Sequence, residues 1–121
     1  THTIAPDTLS RAPRAPVIET FSGKRVFTDG NMTVELHELG PNSHVDEMVL
    51  AWLPRERLLF QGDLIIPPNQ GELPPANTLT REFLAKVDAM RWEAETIAGV
   101  HGRVMTLAEL REMVSKTVAA H

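Results

Sequence analysis

Leu58-Leu59-Phe60-Gln61-Gly62-Asp63-Leu64 is the stretch that decides how this chain reads. An apolar run of strand length stops at a glycine, and a carboxylate follows at once. A carboxylate in that position must be solvated, capped or bound to a cation. Two other stretches share the construction. Asn42-Ser43-His44-Val45-Asp46-Glu47-Met48 leads into an apolar strand, and Ala98-Gly99-Val100-His101-Gly102 closes a short β run. His44, Asp63 and His101 thus come from strand ends flanked by small or turn-forming residues. Imidazole and carboxylate delivered this way suit an open, hydrolytic zinc-type site, and manganese or iron suits the same donors. Taken one at a time, a histidine in a turn is ordinarily solvated and an aspartate after a strand ordinarily caps a turn. The shared setting is what links the three.

Working outward, Lys24 to Thr28 is a short strand, and Asp29-Gly30-Asn31 is a hairpin signal. Met32 to Leu39 alternates, with Met32, Val34 and Leu36 on one face and Thr33, Glu35 and His37 on the other. That pattern predicts a half-buried strand with a wet side, on which His37 is a solvated residue beside Glu35. Met48 to Leu53 is apolar on both faces and predicts a central strand covered on each side. Pro54-Arg55-Glu56-Arg57 makes a charged turn before the run that starts at Leu58. Pro67, Pro68, Pro74 and Pro75 then stiffen a loop that cannot be sheet.

Two helices close the chain. Leu79, Phe83, Val87 and Met90 form one apolar stripe behind an N-cap at Asn77 or Thr78. Thr106-Leu107-Ala108-Glu109 is a capping box that opens the second helix, with Leu107, Leu110, Val114 and Val118 on its inner side. Between them Thr96 to Val100 is a short β run. The expectation is an α+β domain: a largely antiparallel sheet of about five strands with two C-terminal helices on one face. Residues 1–20, punctuated by Pro6, Pro13 and Pro16, read as an extended arm, and 21–121 as the domain. Trp52 and Trp92 read as core or interface.

Composition narrows the function classes. The chain has 121 residues, enough for one domain with its own core, and no cysteine, so any metal is held by imidazole and carboxylate. A net charge of −4 with scattered Lys and Arg argues against nucleic acid as a partner. No apolar run reaches membrane-spanning length and no signal-peptide pattern opens the chain, so the default expectation is a soluble, cytoplasmic protein. The first residue is Thr1 rather than Met, which fits a processed, truncated or excised chain. His2 and His121 are terminal. Asp46 and Glu47 either orient His44 or simply form a charged turn.

The runs Val34-Glu35-Leu36-His37, Gly40-Pro41-Asn42-Ser43-His44, Leu59-Phe60-Gln61-Gly62-Asp63 and Gly99-Val100-His101-Gly102 together resemble the C-terminal half of the metallo-β-lactamase superfamily. The resemblance runs from about Phe21 to Met113 and implies half of an αββα sandwich. It also implies metal-dependent hydrolysis, with metal-activated water attacking an ester, amide or thioester-type bond. By the same resemblance His44 completes one metal site, Asp63 bridges two ions and His101 completes the second site. The family's His-x-His-x-Asp-His motif occurs nowhere in the chain, so its water-orienting aspartate is missing too. The implied partner of a lone half is a second copy, paired through the exposed sheet face, or a missing N-terminal half. Two further readings stay open: a catalytically incomplete half-domain that dimerises with or without metal, and a binding module using the Pro67 to Pro75 loop.

Overall fold

The structure is a computed structural model, described here for residues 4–116. Its centre is a six-stranded sheet in sequential order: β1 (Lys24–Thr28), β2 (Thr33–Glu38), β3 (Val49–Leu53), β4 (Leu58–Gln61), β5 (Thr96–Gly99) and β6 (Met105–Thr106). Every neighbouring pair is antiparallel except β4 and β5, which run parallel. Among the described residues three helices accompany the sheet: α1 (Thr8–Arg11), α2 (Thr78–Ala89) and α3 (Leu107–Ser115). The architecture is α+β, with one strand more than the sequence suggests. The additional strand, β6, is two residues long and pairs only with Thr96 and Ile97. A segment that short carries no periodicity to read. α1 is likewise a single exposed turn within the proline-punctuated arm, capped where Asp7 accepts the Ser10 amide.

Local chemistry accounts for the elements. Asp29 accepts the amides of Asn31 and Met32 at 2.8 Å each, closing the β1–β2 hairpin while Gly30 supplies the positive φ of 93°. Asn77 is the N-cap of α2, its side chain accepting the Thr80 amide at 2.8 Å. The Thr106–Glu109 capping box forms in full. Val118, His2 and His121 lie outside the described residues.

One core holds the molecule together. Phe83, Leu84 and Val87 of α2 and Leu110 and Met113 of α3 bury against Leu50, Trp52, Leu59, Ile97 and Met105 of the sheet. Leu64, Ile65, Leu73 and Ala76 anchor the proline-rich connection into the same cluster. Each large apolar side chain buried there contributes about 1.5–3 kcal/mol. Trp52 and Trp92 are both core, stacked with centroids 6.0 Å apart.

Two expectations for the sheet faces reverse. His37 is not a solvated surface residue. It is buried, hydrogen-bonded to Glu35 at 2.7 Å, and packed edge-on against Trp92 at 4.9 Å. The register explains this: Glu35 lies opposite Trp52 and His37 opposite Leu50, so these two share the helix-covered face, while Glu38 lies opposite Val49 on the other. β3 is not covered on both sides. Leu50 and Trp52 are buried beneath the helices, whereas Val49 on the other face is 45% exposed. That open face also carries Phe27, Val34, Leu36, Ala51, Leu58 and Phe60, aligned by register across β1 to β4. Val17 and Ile18 of the arm stay exposed, and the arm meets this face at the Glu19–Arg25 ion pair.

Candidate metal centre

Parallel pairing of β4 with β5 builds the centre. Gln61 lies opposite Gly99 at the C-terminal ends of the two strands. Asp63 and His101 each come two residues later, so they leave the same edge of the sheet side by side. The His101 Nε2 atom lies 3.5 Å from Asp63 Oδ1. Both side chains are open to solvent, so incoming ligands reach them freely. Continuing the β3–β4 register beyond Ala51 and Phe60 places the start of β3 opposite Gly62. The β2–β3 loop carrying His44 therefore emerges at this edge as well.

That loop is fastened from two directions. Asn42 Oδ1 accepts the amides of His44 and Val45 at 2.9 and 3.1 Å, forming an Asx turn. Glu82 of α2 accepts both the amide and the hydroxyl of Ser43, at 3.0 and 2.7 Å. These bonds, the amide first, hold the Glu82 carboxylate below its ordinary range. They fix His44's backbone, yet its exposed ring does not join the other pair. Among the described residues no three His, Asp or Glu side chains gather into a metal-holding group. Asp46 lies exposed two residues beyond His44 in the same loop.

The Asp63–His101 geometry can be tested against an ion. Two donors on one tetrahedral zinc, each roughly 2.0–2.1 Å from it, lie roughly 3.3–3.4 Å apart. The observed 3.5 Å is close to that spacing and longer than a good hydrogen bond. An imidazole and a carboxylate are also suitable donors for zinc, manganese or iron. The pair could fill two positions of such a shell, and any further donors would have to come from elsewhere. Two residues the sequence did not single out hold this edge: Gln61, through hydrogen bonds to the loop bearing Asp63, and Glu82, which fastens the His44 loop through Ser43. The buried glutamine ending an apolar strand was the available signal for the first; nothing local to Glu82 announced the second.

Solved structures supply the comparison. A metallo-beta-lactamase from Pontibacter korlensis superposes with a TM-score of 0.58 at 20% identity, over 88% of this chain and 51% of that one. The chain has a partial metallo-β-lactamase fold. An archaeal metallo-beta-lactamase superfamily protein from Sulfolobus tokodaii matches this half-fold at a TM-score of 0.55 and 13% identity, over 82% of this chain and 41% of that one. A third match, a chemotaxis sensor solved as a peroxy diiron species, has a TM-score of 0.54 and 12% identity, over 74% and 47% of the two chains. The half-fold spans about half the length of the solved structures it matches. No family model and no curated relative matches it. Among the described residues no helix is long and apolar enough to cross a membrane.

Proposed function

We propose that this chain is the C-terminal half of a metallo-β-lactamase-type, metal-dependent hydrolase acting on an ester, amide or thioester-type bond. The observation that carries the reading is the Asp63–His101 pair, 3.5 Å apart at the ends of the parallel strands. Asp63 and His101 would hold a divalent cation, zinc in the first instance, and His44, its backbone already fixed near the same edge, would supply a further donor through its exposed ring. Such an ion acidifies a bound water and polarises a carbonyl. The chain's own residues bind and orient: Asn42 and Glu82 set the His44 loop, and Asp63 supplies negative charge.

The remaining donors come from a preceding half-domain bearing His-x-His-x-Asp-His, docked on the open sheet face. The polarity of β2 supports this occupant over water. Val34 and Leu36 point to the open face, while Glu35 and His37 point beneath the helices. A strand that turns its apolar side outward is built to be covered there.

Metal content by elemental mass spectrometry tests the reading, on protein purified without chelator or His-tag, alone and joined to such a half. Near-stoichiometric metal in the joined protein, lost in Asp63→Ala and His101→Ala, is the expected result. Metal unaffected by either substitution refutes it. Pairing of two copies in place of the preceding half is the other outcome, seen as a concentration-dependent dimer by sedimentation.

A further inference from the structure

Gln61 makes more hydrogen bonds than a strand terminus requires. Its side chain is almost wholly buried, at 1% exposure. Oε1 accepts the amides of Leu64 and Ile65 at 2.8 and 3.2 Å, and Nε2 donates to the Ile65 carbonyl at 2.8 Å. All three bonds run to backbone on the far side of Asp63. The segment from Gly62 to Asp63 is therefore an arch whose two feet are tied together by one amide.

The same amide touches the other arm of the site. Gly99 lies opposite Gln61 in the ladder, and a Cβ added there would run into Gln61 Nε2 and sit 3.3 Å from Cδ. Gly99 does not have the positive φ that would otherwise call for glycine. Its missing side chain is explained by the space the glutamine amide occupies. Two residues beyond it stands His101.

We propose that Gln61 is the positioning residue of this centre: its amide, admitted by Gly99, fixes the arch that presents Asp63 to His101. The inference rests on the reading that these two side chains act together. Gln61 touches neither of them and acts through backbone alone. Groups that orient metal-binding side chains typically change affinity 10–100-fold when replaced.

The test uses the full chain and four variants: Gln61→Met, which keeps length but makes no hydrogen bonds, Gln61→Ala, Gly99→Ala, and the double variant Gln61→Ala/Gly99→Ala. By NMR, Gln61→Met should keep the core signals of Phe83 and Leu110, lose the cross-peak between the His101 ring and Asp63 Hβ, and speed amide exchange at Leu64 and Ile65. Zinc titration should then show affinity falling about 10-fold or more. Removing the glutamine should relieve the clash in Gly99→Ala, so the double variant should be less destabilised than the two single changes added together. A Gln61→Met protein that keeps the cross-peak and the exchange rates overturns the proposal. So does strict additivity in the cycle. A parent chain that takes up no zinc, with the cross-peak present and lost in Gln61→Met, leaves the positioning role standing, and the metal reading is then decided on the protein joined to a preceding half.

Discussion

Phe60→Ser separates a sheet face that faces water from one that is covered. Phe60 lies at the middle of the open face, opposite Ala51, and is 41% exposed. A phenylalanine offers about 200 Å² to burial, so about 80 Å² of it remains open in this chain. At roughly 25 cal/mol per Å², covering that area contributes about 2 kcal/mol. The area already buried by neighbouring strands is lost equally in any context, so only the difference between contexts is informative. Phe60→Ser should therefore cost about 2 kcal/mol more in a protein that includes the preceding half-domain than in this chain alone. Urea denaturation followed by tryptophan fluorescence measures both costs, since Trp52 and Trp92 are buried in the core. Equal costs in the two proteins refute the reasoning, because they mean the face gains no cover. A larger cost in the lone chain that grows with protein concentration assigns the face to a second copy.

Trp92→Ala should cost about 3–5 kcal/mol in the lone chain, because it removes the stack on Trp52 and the edge packing on His37 together; a thermal or urea midpoint checks this. Gly102→Ala should be poorly tolerated, since Gly102 has a φ of 80° and an added Cβ would run into the Pro67 carbonyl oxygen. Its expected signature is loss of the His101–Asp63 cross-peak by NMR and a stability loss of at least about 1 kcal/mol. Glu109 ties Arg103 to the α3 capping box, and hydrogen bonds from Arg103 first, then Thr106, hold its carboxyl below the ordinary range. The unfolded chain then binds the proton more readily, so this stabilisation is complete above the ordinary glutamate range and is lost as pH falls through the depressed folded value. Glu109→Gln should cost about 0.5–1 kcal/mol at neutral pH and flatten the acid limb of the stability profile. An unchanged acid limb would show that the carboxylate contributes nothing there.

Much of the fold is legible in local chemistry. The Asp29 turn, the Asn77 cap and the Thr106 capping box each satisfy backbone groups within a few residues, so their sequence signatures and their structures coincide. The face assignments of β2 and β3 were not legible. Alternation says that two faces differ, and it does not say which one the helices cover. For β2 the polar side goes under the helices, and His37 is accommodated because Glu35 and Trp92 receive it there. Strand β6 escaped for a different reason: two residues pair through backbone alone and leave no side-chain pattern.

Local sequence named the candidate donors. His44, Asp63 and His101 could be named because strand, turn and residue type are all local properties. Which of them meet was decided only by tertiary structure. Asp63 and His101 are 38 residues apart in a chain whose sheet reads as largely antiparallel. The parallel pairing of β4 with β5, made possible by the α2 crossover, brings their equal offsets beyond Gln61 and Gly99 to one edge. His44 reaches that edge through a longer loop held by Asn42 and Glu82, and its ring stays out of the pair. Register is a pairwise property of strands distant in sequence, so no window on the chain contains it.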